Sequence, residues 1–209
     1  MSDILINNCS NIHSQYTIMK EDALLVKIAA GDTESYTIRI QALDTISDKN
    51  TLGFLAENAK DDWIRLEAAI RIKNKQVLNK LKLSNDERIK LDAAINLNDQ
   101  ELLTDIVLNS KDDLHREIAR NYIDDERQLR KIAEESISEN DRVEAAIQLE
   151  DAHLCKQLID LITDDRLKER LAQAIGNGIH TSAHHFTGEK EKAHTATSRG
   201  LDEGGLDID

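Results

Sequence analysis

The stretch DDWIRLEAAIRIKNKQVLNKL, residues 61–81, sets two acids before an apolar–basic pair, an alanine pair and an isoleucine, then breaks at a polar residue before a new apolar run. Nearly the same grammar returns about 25 residues later, in DERIKLDAAINLNDQELL, residues 86–103. Self-similarity at a fixed period of roughly 20–50 residues is the sequence mark of a stacked array. Anchored on the basic residue before the alanines, the pattern runs through Arg39, Arg65, Lys90, Arg116, Arg142 and Lys168, at intervals of 26, 25, 26, 26 and 26. Three residues after each anchor stand Ala42, Ala68, Ala93, Ala119, Ala145 and then Leu171. Four further on come Ile46, Ile72, Leu97, Ile123, Leu149 and Ile175.

A second apolar set keeps register between these blocks. Leu25 with Ile28, Leu52 with Leu55, Leu78 with Leu81, Leu103 with Ile106 and Leu129 with Ile132 are each spaced by three, and the last unit offers Leu154 and Leu158. Such spacing puts each pair on one helical face. Each unit therefore reads as two short amphipathic helices, A with the apolar pair and B with the basic–alanine–aliphatic pattern. Short acceptor side chains mark the starts. Asp48, Asn74, Asp99, Asp125 and Asp151 precede helix A, while Asp61/Asp62, Asn85/Asp86, Asp112/Asp113 and Asp164/Asp165 precede helix B. In unit five Asp141 abuts Arg142 directly, which predicts a longer helix A and a different turn there. No single pair can bury its apolar face alone, so stability has to come from stacking.

These residues resemble the HEAT-like family of α-solenoids, whose units run short helix, Asp-rich turn, then Asp-x-x-[Ile/Val]-Arg-x-x-Ala. The clearest matches are Asp61-Asp62-Trp63-Ile64-Arg65-Leu66-Glu67-Ala68-Ala69 and Asp86-Glu87-Arg88-Ile89-Lys90-Leu91-Asp92-Ala93-Ala94. The resemblance implies an all-α, right-handed α–α superhelix of about six two-helix repeats over residues 21–176. In that family the basic column usually pairs with turn acids. Asp61, Asp62, Arg65, Asp86, Lys90, Asp112, Asp113, Arg116, Arg142, Asp164 and Lys168 are thus expected to form a structural ladder. Residues 1–20 are expected either to cap the stack, with Ile4, Leu5 and Ile6 covering its end, or to form a flexible segment, and residues 177–209, polar and rich in glycine and histidine, read as a flexible tail.

Charge narrows the partners. The 209 residues carry 40 acids against 27 bases, a formal net charge of −13. Such a surface disfavours nucleic acid and anionic lipid. Aromatics make up 3% and proline is absent, which argues against sandwiches and barrels rich in tight turns. Cys9 and Cys155 have no CxxC partner and read as free thiols. No targeting signal and no membrane-length apolar run stands out, so a cytoplasmic location is expected.

No motif names a reaction: GxSxG, HExxH, GxxxxGK[ST] and GxGxxG are all missing. His180 and His184 are spaced by four, but nothing completes a metal site around them, and no cofactor is expected. Trp63, the sole tryptophan, shares its repeat position with Thr37, Arg88, Leu114, Asn140 and Arg166. Tryptophan and arginine are enriched where interfaces concentrate their binding energy. Trp63, Arg88 and Arg166 are accordingly the expected partner contacts. The leading expectation is a non-catalytic protein-binding scaffold. Two other classes stand beside it: a HEAT-like enzyme of the bilin-lyase or base-excision type, and an adaptor that self-assembles weakly through its solenoid ends.

Overall fold

The computed structural model describes residues 23, 25–31 and 35–177. The expected cap at 1–20, Cys9, the tail from 178 onward and the tail histidines lie outside the described residues. Among those described, the chain is all helical. A helical run at residues 25–30 (α1) is followed by α2 (Tyr36–Thr45), α3 (Lys49–Asn58), α4 (Asp62–Ile72), α5 (Lys75–Leu81), α6 (Glu87–Leu97) and α7 (Gln100–Asn109). The series continues with α8 (Asp113–Asn121), α9 (Glu126–Glu135), α10 (Glu139–Gln148), α11 (Ala152–Leu161) and α12 (Asp165–Gly176).

Helix starts follow the capping chemistry. Side-chain oxygens of Ser35, Asp48, Asp61, Asn74, Asp86, Asp99, Asp112, Asp125, Ser138, Asp151 and Asp164 each accept a first-turn backbone N–H. Successive caps lie 13 residues apart, with one interval of 12 between Asn74 and Asp86. Unit five corrects the sequence reading. Helix α9 has 10 residues, the same as α3, α7 and α11, because the Ser138 hydroxyl supplies the next cap and accepts the Asp141 N–H at 3.3 Å. Ends are less regular than starts. Lys73 and Asn98 close α4 and α6 in the left-handed region at φ 55° and 54°, and Glu150, after α10, sits there at 54°.

Packing is sequential. Each A helix packs against the B helix that follows it, as in α3–α4, α5–α6, α7–α8, α9–α10 and α11–α12. B helices also contact the next B helix, through α2–α4, α4–α6, α6–α8, α8–α10 and α10–α12. The arrangement is consistent with a helical repeat array. The apolar pairs of α3, α5, α7, α9 and α11 are all buried, as are Ala42, Ala68, Ala93, Ala119, Ala145 and Leu171. The core falls into two clusters that meet within α6: Ile89 and Ala93 belong to the N-terminal cluster, Leu91 and Ala94 to the C-terminal one. Cys155 is free and fully buried on α11, and that burial pushes its thiol up, with the Asp151 carboxylate adding to the effect.

Polar side chains fasten one unit to the next. Gln100 at the start of α7 accepts the Asp124 and Asp125 N–H groups at 2.9 and 3.2 Å and donates to the Tyr122 carbonyl at 3.1 Å. Glu139 at the start of α10 accepts from Thr163 N–H at 2.8 Å, its hydroxyl at 2.9 Å and Asp164 N–H at 3.1 Å. No helix among the described residues is long and apolar enough to cross a membrane.

Candidate interaction face

Trp63 is the second residue of α4. Its backbone N–H donates to the capping Asp61 carboxylate at 2.8 Å, which fixes where the indole leaves the helix. The ring is half-buried and packs against the N-terminal core cluster. Arg88, at the matching place on α6, lays its guanidinium over the indole, Cζ lying 5.3 Å from the ring centroid. A cation over an indole face contributes about 0.5–1 kcal/mol where exposed, and about 2 when desolvated. The α4–α6 contact brings these two positions together because both follow their caps by two residues.

Tyr36 of α2 extends the patch. Burial pushes its phenol up, the Glu67 and Asp61 carboxylates push in the same direction, and the Arg88 and Arg39 guanidiniums oppose them. Tyr36 therefore lies within electrostatic reach of Glu67 on α4 and of Arg88 on α6, the same guanidinium that covers Trp63. Arg166 does not join them. It is exposed on α12, separated from the Trp63 helix by α6, α8 and α10.

The basic column divides among several partners. Arg39 pairs with Asp61 of the next unit. Arg65 pairs with Asp62 at 2.9 Å and Arg116 with Asp113 at 2.6 Å, both within their own helix. Lys168 lies 3.5 Å from Asp165. Arg142 and Lys90 form no ion pair with an Asp among the described residues; Arg142 Nε donates to the Ala133 carbonyl at 3.2 Å instead. Arg65 Nε makes the same kind of contact to Ala56 at 3.4 Å, and Arg116 Nη1 to Ser110 at 3.1 Å. The anchor thus closes the C-terminal end of the preceding helix A, where free carbonyls favour a cation. A single ammonium on Lys90 lacks the guanidinium's fork for serving a carbonyl and a carboxylate together. Asp86, Asp112 and Asp164 act as caps, each accepting N–H groups of its own first turn.

Sequence reasoning missed a buried polar seam in the middle of the array. Three residues after the cap, α4 and α6 place Ile64 and Ile89, both buried, whereas α8 has His115 and α10 has Asp141. Eight after the cap stand Ala69, Ala94 and Ala146, but α8 has Arg120. The two departures compensate each other. Arg120, 6% exposed, pairs with Asp141, 3% exposed, and Arg116 Nε reaches the other oxygen of the same carboxylate at 3.0 Å. His115 Nδ1 lies 3.1 Å from Glu87 of α6, which also accepts the Ser110 hydroxyl at 3.0 Å. A base in an alanine column and an acid in an isoleucine column, 21 residues apart, were the available signal.

Among the described residues no group of three or more His, Cys, Asp or Glu side chains gathers as metal ligands do. No protein-family model, curated protein or solved structure matches this chain.

Proposed function

We propose that the chain is a non-catalytic interaction module. In this reading it is a HEAT-like, right-handed superhelix of about six two-helix units with a period near 26 residues. Its helix-B face, centred on Trp63 and Arg88, docks a partner protein. The observation that carries the reading is the half-buried Trp63 ring under the Arg88 guanidinium, with Tyr36 and Glu67 in electrostatic reach. Interfaces concentrate their energy in such aromatic and arginine anchors, set in partly desolvated surroundings. Trp63 is already seated on the core, so little side-chain entropy is lost when a partner covers it.

Affinity capture from the native host tests this with three baits: wild type, Trp63→Ala and Phe54→Ala. Phe54 is an exposed aromatic on helix A and serves as the control. A specific partner should keep its affinity for Phe54→Ala and lose roughly 30-fold for Trp63→Ala, the equivalent of about 2 kcal/mol. A set of partners indifferent to Trp63 and Arg88 rules out this face. Tight, salt-sensitive binding of DNA would instead favour a nucleic-acid role.

A further inference from the structure

We infer that the buried Arg120–Asp141 pair is a register lock: it admits α10 onto α8 and penalises stacking either helix on another part of the array. The inference goes beyond the partner-binding reading and does not depend on it.

The need for a lock comes from repetition. Arg120 stands eight residues after the cap of α8, Asp141 three after the cap of α10, and the two meet across the joint. At the first of these positions the other B helices carry Leu43, Ala69, Ala94 and Ala146. At the second they carry Ile38, Ile64, Ile89, His115 and Leu167. The α2–α4 and α4–α6 joints therefore match Leu43 or Ala69 with an isoleucine, and nothing polar in either match tells α6 to follow α4 rather than α2. Skipping a unit forfeits apolar burial, yet loop closure grows only slowly with loop length. Skipped registers are thus traps met during folding rather than end states.

The α8–α10 joint discriminates where those do not. One carboxylate oxygen of Asp141 receives Arg120, and the other lies 3.0 Å from Arg116 Nε, in a setting almost closed to water. If the α7–α8 unit were skipped, Asp141 would meet Ala94, with Lys90 in the place of Arg116. One ammonium would then stand where two guanidiniums do, and a buried carboxylate left short of partners is costly. If α9–α10 were skipped, Arg120 would meet Leu167 instead of a carboxylate. His115 is a looser address: it reaches Glu87 at 3.1 Å, but Asp62 follows the cap of α4 as Glu87 follows that of α6. A well-packed apolar pair of similar volume generally serves stability as well as a buried ion pair. What the charges add is a difference between right and wrong joints.

Pulsed hydrogen exchange during refolding of the full-length chain tests the lock, with equilibrium denaturant titration alongside. The comparison sets wild type against Arg120→Ala/Asp141→Ile and, one methylene smaller, Arg120→Ala/Asp141→Val. The readout is the share of chains whose α7–α8 or α9–α10 amides stay unprotected after those of α5–α6 and α11–α12 are protected. The apolar pairs should match or exceed wild type in resistance to denaturant, yet show a lagging share at least about tenfold larger. The more stable of the two variants decides. If its lagging share equals that of wild type, the inference is overturned. If it resists denaturant less than wild type, the inference also fails, because the ion pair is then a stabiliser and not an address.

Discussion

Asp141 neutralises Arg120 and touches Arg116 in a setting almost closed to water, so each partner depends on the other more than a surface pair would. Removing one member leaves a buried charge uncompensated, which typically destabilises by about 3–5 kcal/mol. Asp141→Ala and Arg120→Ala should each lower the unfolding free energy by an amount in that range, read from denaturant titration. Restoring what the other units carry, with Arg120→Ala and Asp141→Ile together, should be neutral or stabilising by about 1–4 kcal/mol. Arg116 keeps Asp113 and the Ser110 carbonyl in that double variant. A double variant weaker than either single one would contradict the compensation. The pair was half-legible in the sequence. Asp141 reads as a turn acid because it abuts Arg142, and only the contact of α8 with α10 shows that it points into the seam. Trp63 and Arg88 were legible as a shared repeat position, but the stacking of one on the other depends on the B–B contact that no single helix encodes.

Helix starts were written in the sequence far more clearly than helix ends. Aspartate and asparagine before each apolar run located nine of the N-caps, because the short acceptor is the chemistry that free N–H groups require. Serine before α10 was passed over, since Glu139, Asp141 and Arg142 crowd the same turn. The left-handed ends at Lys73 and Glu150 give no sequence signal, because glycine, the residue that advertises such a turn, is missing from both. Lys73→Gly should therefore stabilise the chain by about 0.5–1 kcal/mol, less if the added freedom of the unfolded chain offsets the relief. The caps also set the response to acid. Hydrogen bonds from Thr51 hold Asp48 below the ordinary carboxylate range, and those from His115 and Leu154 N–H do the same for Asp112 and Asp151. Thr163 N–H lowers Glu139 likewise; Lys82 and Leu102 outweigh burial at Asp99. A group whose pKa is depressed on folding contributes stability above its unfolded value, near 4, that disappears as pH falls through the folded value. The thermal midpoint should be flat from neutral pH to about 5 and drop below about 4 as all five carboxylates protonate. Asp151→Asn, which keeps an acceptor without the titrating charge, should shallow that drop.

For the whole molecule, the net charge of −13 describes the turns more than any face. Acids crowd the first turns of the helices, where the N–H groups attract them, and the Trp63 neighbourhood mixes Glu67 with Arg88. The all-helical class and the sequential packing of helices were legible because the apolar columns keep their register along the chain; the division of the core inside α6 was not, since it arises from which neighbours each side chain meets. Arrays that contact only their neighbours lose cooperativity between blocks more readily than closed cores do. Trp63 lies in the N-terminal cluster, where α2 leaves Tyr36 and Ile38 exposed at 39% and 43%, so that block should unfold first. Indole fluorescence should then report a lower denaturant midpoint than far-ultraviolet circular dichroism; coincident curves would mean one cooperative unit. Cys155 supplies the complementary clock. A thiol sealed inside α11, and held protonated by that seal, stays silent toward alkylating reagents until the C-terminal block opens. With Cys9 replaced by serine, the chain becomes its own two-channel recorder, light from one half and a mass increment from the other, timing each opening without any added label in the fold.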